Sequence, residues 1–153
     1  MVPSDVDEML EPGPVADAVA ALALRKARAV AGRVGTGVVL AADTVVVVDG
    51  VALGKPAGPQ EARDMLARLR GRQHEVITGV AVVDAATGRV ASTIAAYVAS
   101  GAPLDKAGGY AIQDLNGGLV DGLVGSYTNV VGLPLEATRR LLEGFGVLSE
   151  RRA

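Results

Sequence analysis

The sequence predicts a mixed α/β protein. Two observations carry this prediction: apolar residues recur at helical spacing in three segments, and valine-rich runs followed by turn residues lie between those segments. The chain has 153 residues and is 50% hydrophobic, which is enough to bury the core of one compact domain. We therefore expect a single domain over residues 1–153.

The first element is an amphipathic helix over about residues 14 to 33, where apolar side chains recur every three or four positions. Lys26 falls within that apolar stripe. The spacing leaves two interpretations open: the ammonium group reaches solvent along its methylene stem, or it points into a polar cavity beside the core.

The next element is a nearly continuous apolar run over residues 38–48, typical of a central strand that is buried on both faces. Only Asp43 and Thr44 interrupt the run. Asp49-Gly50 then predicts a tight hairpin turn into a short strand, residues 51–53, which leads to the Gly54-Lys55-Pro56 loop. This hairpin would bring that loop close to Asp43.

A second helix is predicted to begin at Pro59 and to end at Gly71, followed by a hairpin of residues 74–83 and 89–92. Residues 94–100 are predicted to form a short helix, and residues 106–132 a glycine-rich loop with one or two short strands. A last helix begins at Pro134, with five residues predicted to face inward: Leu135, Thr138, Leu141, Leu142 and Phe145.

The composition argues against several classes of protein. A formal net charge of −2 and a pI near 5.4 argue against a nucleic-acid-binding surface. The chain has no cysteine and one histidine, so a bound metal would be held by carboxylates, which suits Mg²⁺ or Mn²⁺. No secretory signal or membrane-spanning run is visible, and a cytoplasmic location is expected.

Only three of the fifteen basic residues are lysines: Lys26, Lys55 and Lys106. Either they remain by chance in an arginine-rich composition, or they are reserved for phosphate, which suits the compact charge of an ammonium group. Asp43 is the other prominent residue, because a carboxylate within a valine strand must be compensated. It either accepts backbone hydrogen bonds at a strand break, or it holds a divalent ion or activates water beside Lys55.

Other polar segments are weaker candidates. The cluster Asp5, Asp7 and Glu8 is either a solvated acidic end or a source of a second oxygen ligand. Residues 105–113 combine flexible glycines with Lys106 and the Gln113 amide. Residues 125–134 form a polar loop that leads to the N-terminus of the last helix, and this N-terminus either faces an anion or is capped by the loop itself. His74 is interpreted as structural.

Five ordered motifs extend over most of the chain: ADTVV, GKP, ML..L.G..H.V.TGV, Y...G.P.DKAGGYAIQ and GSYTNVVGLPL. Together they resemble the Maf family of nucleoside triphosphate pyrophosphatases. The resemblance implies a Maf/ITPase-like mixed twisted sheet flanked by helices, and hydrolysis between the α- and β-phosphates with a divalent cation. It also implies a house-cleaning or cell-division role and a homodimer.

The resemblance also implies roles for individual residues. Asp43 looks like the proton acceptor of the family, with Lys55 beside the phosphates, and the metal is expected at Asp43 and Glu8. Members with Asp-Thr at this point are similar to the branch acting on dTTP and UTP. The expected substrate-binding residues are Thr44 and Gln113, which would read the pyrimidine, and the charged residues Lys26, Glu8 and Lys106.

The chain departs from the family pattern in two places. Members normally begin with a strand and a Ser-x-Ser-Pro-Arg-Arg loop, whereas this chain begins at Val2-Pro3-Ser4-Asp5. Roughly 15 residues that would carry another strand are also expected to be missing near Thr93. Missing strands would expose sheet edges. Two alternatives to the enzyme follow: a non-catalytic nucleotide-binding or division-regulating protein, and an incomplete product without independent function.

Overall fold

The computed structural model describes residues 1–101, 120–124, 127–130 and 132–148. A sheet with strand order β2-β1-β3-β4-β5 forms within these residues, and each strand pairs antiparallel with its neighbours. The predicted α/β class, with helices flanking a sheet, is confirmed. The elements in chain order are α1 Val15–Val34, β1 Val38–Val48, β2 Val51–Leu53, α2 Pro59–Leu69, β3 Gln73–Asp84, β4 Val90–Gly101, β5 Val120–Val124, α3 Tyr127–Val130 and α4 Leu135–Gly144.

Helix α1 lies across the sheet and is confirmed as the first amphipathic helix. Its buried alanines pack with Ala81 and Val83 of β3, so helix and sheet approach closely. The closest approach is at Gly79, where a Cβ atom would lie 2.7 Å from the Ala20 Cα atom and from the Val19 carbonyl oxygen. A side chain at this position would therefore push α1 away from β3.

The predicted β1–β2 hairpin is confirmed. Asp49 and Gly50 both have positive φ, 52° and 75°, as a two-residue turn with the twist of the flanking strands requires. Strand β1 does not break at Asp43, which lies opposite Gly79 of β3. The expected burial of β1 on both faces is wrong, because only Val47 and Val48 are buried. Strand β2 pairs only with the last three residues of β1, which leaves the earlier part more open.

The predicted hairpin of β3 and β4 is confirmed, but the short helix predicted over residues 94–100 is wrong. Strand β4 continues to Gly101 and pairs with β3 without a break through Thr93 and Ile94. Periodicity over so few residues does not separate helix from strand. The structure shows the two-residue period of a strand: Val90, Ser92, Ile94 and Ala96 are exposed, whereas Ala91, Thr93, Ala95 and Tyr97 are more buried.

The last described elements lie beyond β4. Helix α4 follows Pro134 as predicted, and Thr138 is buried, but Leu135 is exposed and its predicted inward position is wrong. Leu135 is the first residue of the helix. Strand β5 and helix α3 fall within the glycine-rich stretch, and most of that stretch lies outside the described residues. None of the helices that the structure describes is long and apolar enough to cross a membrane.

Candidate active site

Four charged side chains from four separate segments meet beside the middle of α1. The Lys26 Nζ atom donates to Oδ1 of Asp43 at 2.6 Å and to Oε1 of Glu8 at 2.8 Å. The ammonium group of Lys55 donates to Oε2 of Glu8. The site therefore alternates two carboxylates with two ammonium groups, although its members lie far apart in the sequence.

Helix α1 and strand β1 place the inner pair of this cluster. Lys26 lies on the face of α1 that packs on the sheet, and its side chain is 14% exposed. The polar-cavity interpretation of Lys26 is thus the correct one. The Asp43 side chain is 17% exposed, and it is compensated by the Lys26 cation rather than by backbone groups at a strand break.

The electrostatics of the cluster follow from these contacts. Hydrogen bonds from Lys26 and Lys55, together with their charges, lower the pKa of Glu8 to about 2. Burial lowers the pKa of Lys26, but the hydrogen bonds and charges of Asp43 and Glu8 outweigh this, and its pKa lies above the ordinary value. Glu8 and Lys26 are therefore both charged at neutral pH.

A cleft of about 500 Å³ opens beside the cluster. The N-terminal segment around Glu8 forms one wall, and the β1–β2 hairpin with the following Gly54-Lys55 loop forms the other. The prediction that the hairpin brings the Lys55 loop close to Asp43 is confirmed, because both residues line this cleft. Because the Lys55 side chain is 86% exposed, its ammonium group lies at the rim of the cleft and can meet an anion that enters.

Thr44 also lines the cleft, next to Asp43. Its hydroxyl oxygen lies 2.9 Å from that of Thr78 on β3, and Thr78 donates to the Asn129 carbonyl oxygen at 3.3 Å. Because successive side chains of a strand point to opposite faces, Thr44 and Asp43 act from opposite sides of β1. The connection of Thr78 and Asn129 to Thr44 could not be predicted from their motifs, because it requires the β1–β3 register.

The structure thus brings together Glu8, Lys26, Asp43 and Lys55, and places Thr44 beside them. Lys106 and Gln113 lie outside the described residues. His74 is buried, and its Nδ1 atom lies 3.3 Å from the Arg72 carbonyl oxygen.

The two carboxylates of the cluster are the available ligands for a divalent cation. In the part of the chain that the structure describes, no three His, Cys, Asp or Glu residues form a metal-binding group. Asp43 uses only Oδ1 in its hydrogen bonds to described residues, which leaves Oδ2 available. Mg²⁺ commonly binds one or two carboxylates and completes its shell with substrate phosphates and water, and Glu8 with Asp43 fits that pattern.

The fold and the site define an α/β protein whose cleft presents ammonium groups and carboxylates together, as proteins that bind phosphate-bearing ligands do. The chain belongs to the Maf family, because the family model described as "Maf-like protein" matches residues 1–145.

Several curated relatives are similar to this chain, and three of them share the name dTTP/UTP pyrophosphatase. The relative from Moorella thermoacetica is 51% identical over 161 residues, covering 95% of this chain and 83% of the relative. The relative from Symbiobacterium thermophilum is 49% identical over 86% of this chain and 74% of its own length, and that from Pelotomaculum thermopropionicum is 46% identical over 86% and 76%. The 161 aligned positions exceed the 153 residues of this chain, so the Moorella relative contains residues without a counterpart here.

Proposed function

We propose that this protein hydrolyses nucleoside triphosphates, dTTP and UTP in particular, to the monophosphate and pyrophosphate. The observation that carries the proposal is the contact of Lys26 with both Asp43 and Glu8, beside a cleft that Lys55 borders. The names of the relatives supply the reaction and the nucleotides. The non-catalytic alternative is not favoured, because these relatives are all named as pyrophosphatases.

The roles of the charged residues follow from their positions. The triphosphate would compete with Glu8 for the Lys55 ammonium group, which would then neutralise charge that grows on the leaving pyrophosphate. Asp43 accepts the proton of the attacking water, whose oxygen bonds to the α-phosphorus while the bond from that phosphorus to the bridging oxygen breaks. Lys26 holds Asp43 in place through Oδ1. Lys106 is proposed as a further cation for the phosphates.

Glu8 and Asp43 are the proposed ligands of a divalent cation, Mg²⁺ or Mn²⁺. When bound there, such a cation would screen the charge of the phosphates and draw electron density from the reacting phosphoryl group. The measurement that tests this is pyrophosphate release in each metal and after chelation. Activity that persists at full rate in excess chelator would contradict the proposed cofactor.

Thr44 and Gln113 are the proposed readers of the pyrimidine. The contact with Thr78 fixes the Thr44 hydroxyl, so that its remaining hydrogen-bonding capacity has a defined direction. We expect Thr44→Val to reduce the preference for dTTP and UTP over ATP and GTP, measured as the ratio of kcat/KM values. An unchanged ratio would remove Thr44 from the specificity site.

Pyrophosphate release from dTTP and UTP, with ATP and GTP for comparison, tests the function itself. We expect Asp43→Asn to lower kcat at least about a hundredfold, the effect expected for removal of a positioned base. Asp64→Asn is the matched control, because Asp64 is an exposed carboxylate on α2, and it should retain full activity. If folded wild-type protein bound UTP without releasing pyrophosphate, the non-catalytic alternative would replace the enzyme.

We further propose a homodimer that acts in house-cleaning of cytoplasmic nucleotide pools, with septum formation as the cell-division process it affects. The open part of β1 supports the dimer: in the described residues, β2 covers only Val46–Val48 on that side, and Val38 and Leu40 are exposed. Light scattering with wild type and Leu40→Lys tests the dimer. A monomeric wild type would exclude it.

A further inference from the structure

Arg25, the residue before Lys26 on α1, contacts the segment that carries Glu8. Its Nη2 atom donates to the Met9 carbonyl oxygen at 2.8 Å and to the Asp7 carbonyl oxygen at 3.4 Å. Its Nη1 atom donates to Oε1 of Glu11 at 2.5 Å. One guanidinium group thus binds the backbone on both sides of Glu8.

The backbone of this segment has little other support. Residues 1–13 form no helix or strand, and in the described part of the chain they make no backbone-to-backbone hydrogen bond. In the described residues, the hydrogen bonds that join the segment to the rest of the chain all come from side chains: those of Arg25 and Arg33 with the segment, and those of Lys26 and Lys55 with Glu8. Of these, only the Arg25 contacts reach the carbonyl groups on either side of Glu8 from outside the segment. Within the segment, the Met9 amide donates to Oδ1 of Asp7 at 3.0 Å.

We propose that Arg25 is a positioning residue for the reaction: by binding the carbonyl groups of Asp7 and Met9, it holds the Glu8 carboxylate between Lys26 and Lys55. This inference rests on the proposed function, in which Glu8 belongs to the phosphate and metal site. Arg25 itself does not touch substrate in this scheme. It acts only through the backbone of the Glu8 segment.

An arginine is needed because its planar fork can serve several acceptors at once. Nη1 and Nη2 donate to a carboxylate and to the carbonyl groups in the same geometry, whereas a lysine offers one compact ammonium group. Arg25→Lys should therefore keep the positive charge but lose part of the positioning. This distinguishes positioning from a simple charge effect on the cleft.

The kinetic test compares pyrophosphate release by wild type, Arg25→Gln and Arg25→Lys. We expect Arg25→Gln to lower kcat about tenfold, within the range produced by misplacing a site group by about an ångström, and Arg25→Lys to recover only part of the loss. Arg28→Gln is the matched control, an exposed arginine three residues along the same helix, and should match wild type. Full recovery in Arg25→Lys would show that charge alone matters and would overturn the proposal.

Two comparisons separate positioning through Glu8 from a general structural role. In a Glu8→Gln background, Arg25→Gln should cause no further loss of kcat, because both changes act through the same carboxylate. Arg33→Gln, which releases the segment farther from Glu8, should cost less than Arg25→Gln. Additive losses in the double variant, or an equal cost at Arg33, would overturn the proposal.

A measurement without substrate keeps this proposal separate from the proposed function. The ¹⁵N relaxation of the Glu8 and Met9 amides reports their order on the picosecond to nanosecond timescale. We expect these amides to be ordered in wild type and Arg28→Gln and to become mobile in Arg25→Gln. If wild type released no pyrophosphate, the proposed function would fail, whereas unchanged amide order in Arg25→Gln would overturn the positioning role by itself.

Discussion

The Lys26 ammonium group lies 2.6 Å from Oδ1 of Asp43, although the two residues are 17 positions apart and belong to different elements. Both side chains are largely withdrawn from solvent, and Lys26 also binds Glu8. This contact ties α1 to β1 at the cleft. The same contact therefore contributes both to the stability of the fold and to the arrangement of the site.

Removing the Lys26 cation should destabilise the protein. In Lys26→Met, the Asp43 carboxylate loses its partner, and the free energy of unfolding should fall by about 1–3 kcal/mol. Urea unfolding measures this change. The double variant Lys26→Met/Asp43→Asn should recover part of the loss, because no unpaired carboxylate remains. A single variant as stable as wild type would show that the contact contributes nothing to stability.

The pKa shift of Glu8 predicts a pH dependence of stability. Because the folded-state pKa, about 2, lies below the ordinary value of 4.5, the unfolded chain binds the proton more readily. The contribution of Glu8 to stability is therefore present above pH 4.5 and is lost as the pH falls towards 2. Thermal unfolding across this range should show a shallower fall of Tm in Glu8→Gln than in wild type. Parallel curves of Tm against pH for wild type and Glu8→Gln would contradict the lowered pKa of Glu8.

The raised pKa of Lys26 predicts the opposite pH dependence of stability, at alkaline pH. Its folded-state pKa is raised above the ordinary 10.5, so its contribution is present below pH 10.5 and is lost as the pH rises through the folded-state value. Wild type should lose stability in this range more steeply than Lys26→Met, measured by urea midpoints. Equal slopes for the two proteins would rule out the raised pKa.

Two glycine-to-alanine substitutions should change the free energy of unfolding in opposite directions. Gly79→Ala places a Cβ atom within 2.8 Å of the Ala20 backbone, and we expect a loss of about 1–3 kcal/mol from overpacking. Gly32 is an exposed residue of α1 with nothing within 4 Å of an added Cβ, and Gly32→Ala should stabilise the protein by about 0.5–1 kcal/mol. Denaturant unfolding of both variants checks the signs, and a neutral Gly79→Ala would show that α1 can shift.

Asn129 should be important for stability. It is fully buried, and its Nδ2 atom donates to the carbonyl oxygens of Val76 on β3 and Ala95 on β4, both at 3.1 Å. Asn129→Asp removes these donors at nearly constant volume and should cost about 1–3 kcal/mol or more in unfolding free energy. Gln60→Ala, at an exposed amide of α2, is the control. Equal Tm values for wild type and Asn129→Asp would contradict this role.

Local signals account for what could be predicted. The apolar spacing of α1, the Asp49-Gly50 turn and the proline that begins α2 each act within a few residues, and the structure has all three. Asp43 was conspicuous because a carboxylate in a valine run is costly without a partner. The prediction of a helix over residues 94–100 was wrong because a non-local contact decides the conformation there. Pairing with β3 fixes these residues as a strand, and short-range spacing does not reveal that pairing.

The sequence by itself determined the class of fold, the family and the identity of the charged residues at the site. Only the tertiary structure decided which of them meet: that Lys26 turns into a polar site, that Glu8 bridges two ammonium groups, and that Arg25 holds the backbone beside Glu8. The physical reason is distance along the chain. Backbone propensities and turns are local, whereas hydrogen bonds between remote segments depend on strand register and on how closely α1 packs on the sheet.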